Sequence, residues 1–131
     1  MEFIDLSSLT KALNSLDEII ERFGRESEDN AIRDAVIQRF EYTFSLAVKI
    51  LIRYLKQNLP DIQDSFTFNE TIREANKMGL LLSDLEKWTI FRQKRNLSSH
   101  TYNEEIANEV VSVVKDFDRE IHYLLKKLSA K

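Results

Sequence analysis

The sequence predicts an all-α protein, an antiparallel helical bundle of the up-and-down type with four to five helices, two of them long. Apolar residues recur at steps of three and four over most of the 131 residues, which is typical of helices that bury one face. Only two glycines and one proline interrupt the chain, whereas these residues make up roughly 12% of an average protein. This scarcity argues against hairpin-rich β folds, and no segment has the pattern of a convincing strand.

Two helices are predicted in the N-terminal half. The first has Ser7 or Ser8 as its cap and Gly24 as its stop. Its apolar stripe consists of Leu6, Leu9, Leu13, Leu16, Ile20 and Phe23. The second spans roughly 27 residues, about 40 Å, and ends before Pro60 because the residue preceding a proline disfavours helical geometry. Its stripe consists of Ile32, Val36, Phe40, Phe44, Ala47, Leu51, Tyr54 and Leu55.

Two short helices are predicted next. The stretch from Leu59 to Phe68 has no sustained period and is interpreted as the longest loop. Asn69 then caps a short helix, which Gly79 ends in the left-handed conformation that a C-terminal cap favours. Ser83 and Glu86 have the spacing of a capping box and open a fourth helix, in which Trp88 and Phe91 are predicted core residues.

A long last helix is predicted to follow the polar run from Asn96 to Asn103 and to continue to the C-terminus. One face of it carries Ile106, Val110, Val113, Phe117, Ile121, Leu124 and Leu128. A chain of this length has room for one domain, so residues 1–131 are predicted to form a single unit. Its long stripes carry more apolar surface than a small monomer hides, which favours a homodimer over a monomeric bundle.

Composition argues against several classes of protein. The absence of cysteine removes disulfide frameworks, Cys-based zinc sites and thiol nucleophiles, and fits a cytoplasmic location. The first residues do not resemble a signal peptide, and no stretch approaches the ~20 apolar residues of a membrane span, so no membrane association is expected. His100 and His122 do not form metal-binding pairs, and no glycine-rich phosphate loop occurs. We therefore predict no metal and no cofactor.

A basic window stands out in a chain with a net charge of −3. The sixteen residues from Lys87 to Tyr102 contain four basic residues and no acid. At its end, Arg95, His100 and Tyr102 bring a phosphate-binding guanidinium, an imidazole and a phenol within eight residues. This set suits phosphodiester chemistry, with His100 moving a proton and Arg95 stabilising phosphoryl charge. Alternatively, Arg95 contacts the helix C-terminus, His100 and Thr101 cap the next helix, and Tyr102 covers the edge of the core.

The run RNLSSHTY, from Arg95 to Tyr102, resembles the Arg-x4-His-x-Tyr signature of HEPN proteins. The resemblance is to the HepT-like group, also called nucleotidyltransferase substrate-binding proteins. Blocks from Ile37 to Lys49, from Ile72 to Leu80 and from His100 to Glu105 resemble the same family in the expected order and spacing. The resemblance covers nearly the whole chain.

The resemblance implies a homodimeric HEPN domain that acts as a metal-independent ribonuclease toxin, with Arg95 and His100 as catalytic residues. It also implies a cognate minimal nucleotidyltransferase as antitoxin, which in some members attaches AMP to the tyrosine that corresponds to Tyr102. Four polar residues beside the catalytic pair are predicted to bind RNA phosphates: Lys87, Arg92, Lys94 and Asn96. The alternative is a non-catalytic subunit that presents substrate to a separate nucleotidyltransferase.

Overall fold

The part of the chain that the computed structural model describes, residues 4–59 and 66–130, forms six α-helices and no strand. The helices are α1 (Ser7–Arg25), α2 (Asn30–Asn58), α3 (Phe68–Lys77), α4 (Leu85–Leu97), α5 (Glu104–Val111) and α6 (Val114–Ser129). A 3-10 turn, Ser98–His100, joins α4 to α5. The predicted all-α antiparallel bundle is thereby confirmed. Most of the predicted loop from Leu59 to Phe68, including Pro60, lies outside the described residues.

Helix α2 is the central element, because it packs against every other helix of the bundle. Its buried residues therefore lie on more than one side, and they are Ile32, Arg33, Val36, Ile37, Phe40, Thr43, Phe44, Ala47, Ile50, Leu51, Tyr54 and Leu55. Two arginines of α2 reach neighbouring helices. Arg39 Nη1 donates to the carbonyl of Ser15 on α1 at 2.8 Å. Arg33, which is buried, forms an ion pair with Glu104 at the start of α5.

A cluster of five aromatic rings joins α2, α4 and α6. Phe117 of α6 meets Phe40 of α2 edge to face, with ring centroids 4.9 Å apart, and meets Phe91 of α4 at 5.4 Å. Phe44 and Trp88 complete the cluster. Such perpendicular pairs stabilise a core beyond the area that they bury. Trp88 and Phe91 are fully buried, so their predicted place in the core is confirmed.

A buried carboxylate holds the connection between α3 and α4 against α6. Glu120 is almost fully buried, and its Oε2 accepts the backbone N–H groups of Leu82 at 2.7 Å and Ser83 at 3.3 Å. These bonds satisfy two donors that the short connection would otherwise leave unpaired. The starting position of α4, and so the direction in which it runs toward its end, depends in part on this side chain.

The predicted caps of three helices are wrong: Ser7 or Ser8, Asn69 and Ser83. In each case a nearby side chain accepts the first free backbone N–H groups. Asp5 accepts the N–H of Ser7 at 2.9 Å. Thr67 forms a reciprocal capping box with Glu70, and Asp84 accepts the N–H of Lys87.

Of the two glycines predicted to end helices, one does so in the structure and the other does not. Gly24 lies inside α1, which continues to Arg25, so this predicted stop is wrong. Gly79 has a φ of +74° and ends the turn after α3, as predicted. The N–H of Leu80 returns to the carbonyl of Ala75 at 3.1 Å, and the N–H of Gly79 returns to that of Asn76. This is the Schellman pattern, which needs a left-handed residue at this position.

The predicted long last helix is divided into α5 and α6 at Ser112 and Val113. The hydroxyl of Ser112 donates to the carbonyl of Glu109 at 2.6 Å, and the N–H of Val113 bonds to Val110, three residues back. A serine that bonds back to its own helix weakens the regular hydrogen-bond ladder. The apolar stripe continues across the break, which is why periodicity alone does not reveal it. None of the helices within residues 4–59 and 66–130 has the length and apolar character to span a membrane.

Candidate functional site

The motif residues lie at the end of α4 and in the turn that follows. Arg95 belongs to the last turn of α4, His100 ends the 3-10 turn, and Tyr102 follows it. Asn103 then caps α5 by accepting the N–H of Ile106 at 3.2 Å, while its own N–H donates to the carbonyl of His100 at 3.1 Å. The alternative in which His100 caps the next helix is therefore wrong.

His100 and Tyr102 form an exposed pair. Their rings are nearly perpendicular, with centroids 5.9 Å apart, and the Tyr102 hydroxyl lies 3.4 Å from Nδ1 of His100. Tyr102 is 86% exposed, so it does not cover the edge of the core. Nε2 of His100 has no hydrogen-bond partner within residues 4–59 and 66–130. This nitrogen is therefore free to exchange a proton with a bound molecule.

Arg95 carries a charge that the surrounding residues do not neutralise. Arg95 is partly buried, and no hydrogen bond or ion pair reaches its guanidinium from the part of the chain that the structure describes. Its backbone carbonyl, in contrast, is engaged with the Ser98 hydroxyl at 2.6 Å. An unpaired guanidinium with five donors suits a bidentate contact with a phosphate.

The turn between Arg95 and His100 is attached to α2 through Glu41. The Ser98 hydroxyl, which is buried, forms a hydrogen bond with Oε2 of Glu41. Glu41 lies inside the block from Ile37 to Lys49 that resembles the family, but no sequence pattern indicates a role for it. Glu41 and Ser98 are 57 positions apart, so no local pattern joins them. Glu41 is a residue that positions the motif turn.

The four predicted phosphate-binding residues have different surroundings. Lys87 forms an ion pair with Asp116 at 2.7 Å, and its hydrogen bond is the main cause that lowers the pKa of the Asp116 carboxyl. Lys94 forms an ion pair with Glu109. Arg92 lies over the Phe68 ring, 4.8 Å from its centroid, a cation–π contact. Asn96 is exposed.

The structure thus brings Arg95, His100 and Tyr102 together at one end of α4. Within the described residues, the one group of three potential metal ligands, Asp17, Asp118 and His122, does not include a motif residue. The fold and the motif together define a HepT-like helical bundle. The chain belongs to the family described as nucleotidyltransferase substrate binding protein like, whose model matches residues 4–130. The predicted family is confirmed.

Known relatives cover almost the whole chain. A Haemophilus influenzae protein named probable ribonuclease HepT is 31% identical over 135 aligned positions, covering 95% of this chain and 92% of the relative. A solved Haemophilus influenzae structure, described as the fold of a substrate binding domain of a nucleotidyltransferase, superposes with a TM-score of 0.88 at 30% identity, covering 95% of this chain and 99% of that one. A Thermus thermophilus crystal structure superposes with a TM-score of 0.73 at 33% identity, covering 92% of this chain and 98% of that one.

We expect the hydrogen bond between Glu41 and Ser98 to contribute measurably to stability. Glu41→Ala should lower the free energy of unfolding by about 1 kcal/mol, because the Ser98 hydroxyl keeps the Arg95 carbonyl as an acceptor. Ser98→Ala should lower it by about 1–2 kcal/mol, because it removes both contacts of the hydroxyl. The double variant should lose about 1 kcal/mol less than the two single losses together. Urea unfolding followed by circular dichroism measures all three variants. Gln38→Ala, an exposed change on the same helix, is the matched control, and additive losses would contradict the contact.

Proposed function

We propose that this chain is a metal-independent ribonuclease toxin that a cognate minimal nucleotidyltransferase neutralises. The observation that carries the proposal is the unpaired guanidinium of Arg95 beside a turn that exposes His100. The relative named probable ribonuclease HepT supports the same activity. The description of a related fold as a substrate binding domain supports the alternative, a non-catalytic subunit of a nucleotidyltransferase.

The proposed reaction uses only protein side chains. His100 removes the proton of a ribose 2′-hydroxyl, the 2′-oxygen attacks the adjacent phosphorus, and the bond from phosphorus to the 5′-oxygen breaks. The protonated imidazole of His100 in the other copy of the proposed homodimer gives its proton to the leaving 5′-oxygen. Arg95 stabilises the charge that builds on the phosphoryl oxygens. The products are a 2′,3′-cyclic phosphate and a free 5′-hydroxyl.

RNA binding is proposed to depend first on the cations that no carboxylate neutralises. Arg95 and the exposed Arg92 have no ion pair within the described residues, and Asn96 is exposed beside them. Lys87 and Lys94 pair with Asp116 and Glu109, so their charges are partly offset and should contribute less to phosphate binding. Each phosphate contact that forms releases a condensed counterion, so affinity should fall as salt rises.

We expect the purified chain to form a homodimer. The proposed reaction needs a second imidazole, and His100 and Tyr102 stand on an exposed surface where the other copy could supply it. Sedimentation equilibrium at micromolar concentration should give twice the chain mass of 15.4 kDa. A stable monomer at micromolar concentration would contradict a site to which both copies contribute His100.

We expect the chain to cut RNA in the presence of EDTA. His100→Ala should reduce the cutting rate roughly 10²–10⁴-fold, the usual contribution of one acid–base group, and Arg95→Ala should also remove most of it. His122→Ala, which removes the chain's other histidine, is the matched control and should cut normally. Circular dichroism checks that every variant is folded.

Expression in a bacterium distinguishes the two candidate functions. The wild-type chain should arrest growth and His100→Ala should not. A well-expressed, soluble wild-type chain that neither slows growth nor cuts RNA would favour the substrate-binding subunit.

We further propose that the nucleotidyltransferase transfers the AMP group of ATP to the Tyr102 hydroxyl, which loses its proton, while pyrophosphate leaves. The hydroxyl is accessible, and a nucleotide two residues from His100 would block the site and cancel the positive potential that attracts RNA. Co-expression should rescue growth and increase the intact mass by one AMP, while Tyr102→Phe should prevent the mass increase. Rescue without modification would instead indicate neutralisation by binding, and AMP on another residue would contradict the assignment to Tyr102.

A further inference from the structure

We propose that Asp17, Asp118 and His122 form a divalent metal site between α1 and α6, with Zn²⁺ as the ion that these ligands suit best. The sequence predicts no metal, because His100 and His122 do not form metal-binding pairs. Asp17 and His122, which meet in the folded chain, are 105 positions apart. In the folded chain, one carboxylate oxygen of each aspartate and Nε2 of His122 lie within 4.8 Å of one another. The proposal is independent of the ribonuclease function.

The two distances from His122 to the aspartate oxygens are close to those of an occupied site. His122 Nε2 lies 2.9 Å from Oδ2 of Asp17 and 3.5 Å from Oδ2 of Asp118. In a tetrahedral zinc site with bonds near 2.0–2.1 Å, neighbouring ligand atoms are roughly 3.3 Å apart. An ion can therefore take the place of the present hydrogen bonds with small rotations of the side chains.

The packing of α1 on α6 places the three ligand residues next to one another. Asp118 and His122 are four residues apart on α6, so their side chains share one face of the helix. Asp17 comes from α1, which packs on α6. The core residues Leu16 and Ile121, each the neighbour of a ligand residue in sequence, are fully buried. Because ordered helices supply all three ligands, the site does not need a loop to fold around the ion.

The carboxylate of Asp118 gives a second observation that points to a cation. Its Oδ1 is buried and has no hydrogen-bond partner within residues 4–59 and 66–130. Arg119, the next residue, pairs with Asp116 instead. The carboxylates of Asp17 and Asp118 and the imidazole of His122 thus face one another, and a divalent ion would bind all three groups.

The donor set selects the class of metal. One imidazole nitrogen with two carboxylate oxygens suits Zn²⁺, with water completing the coordination. Mg²⁺ and Ca²⁺ prefer oxygen donors alone, so the imidazole argues against them. His122 is about half exposed, which gives an ion a direct route from solvent. A bound ion would connect the first helix to the last and oppose their separation.

Titration of the metal-free full-length chain with ZnCl₂ tests the proposal. Isothermal calorimetry should give one Zn²⁺ per chain, and Co²⁺ should give the visible absorption of a low-symmetry nitrogen and oxygen site. Added Zn²⁺ should also raise the melting temperature, because it binds only the folded state with all three ligands in place. The chain has no cysteine, so thiolates do not compete for the ion.

Three near-isosteric variants locate the site. His122→Asn, Asp118→Asn and Asp17→Asn should each weaken Zn²⁺ binding at least tenfold and abolish the rise in melting temperature. His100→Asn removes the only other histidine and should leave Zn²⁺ binding unchanged. Binding that is absent in the wild type, survives His122→Asn or disappears with His100→Asn would overturn the proposal. Because Asp17 and His122 are substantially exposed, their variants keep the test decisive if Asp118→Asn alters folding.

Discussion

The aromatic contacts between α2, α4 and α6 determine where the motif lies. Trp88 and Phe91 place one face of α4 in the core, and the same stripe continues at helical spacing through Arg95 to the buried Ser98. Arg95 therefore leaves the helix on its core-facing side, at the point where the aromatic cluster ends. This position explains why Arg95 is partly buried although its guanidinium has no ion pair within the described residues. Glu41 then holds the following turn against α2.

Local sequence signals predict much of this fold. Five helical stripes, the left-handed Gly79 and the buried Trp88 and Phe91 follow from periodicity and from the conformational preferences of single residues. Cap positions are less predictable, because several polar residues stand near each helix start and only packing selects one of them. The break at Ser112 is hidden for a similar reason, since a serine inside an apolar stripe is compatible with a straight helix.

Contacts between distant segments are the part that no local pattern reveals. The pairs Glu41 with Ser98 and Asp17 with His122 join residues 57 and 105 positions apart. Each pair depends on how two helices pack, and packing is a property of the whole core rather than of either segment. The motif is recognisable in the sequence because Arg95, His100 and Tyr102 lie within eight residues. The sequence therefore identifies the chemical groups, and the fold supplies the residues that position them.

In the basic window from Lys87 to Tyr102, the charge of the sequence segment differs from the charge around it in the folded chain. The window contains no acid in the sequence, yet α5 and α6 place Glu109 and Asp116 against Lys94 and Lys87. Backbone dipoles do not help an anion here, because the motif follows the C-terminus of α4, which carries partial negative charge. The N-terminus of α5 is already capped by Asn103 and followed by two glutamates. Attraction of a phosphate to this place must therefore come from side-chain cations that have no carboxylate partner, and Arg95 is the one nearest to His100 in the chain.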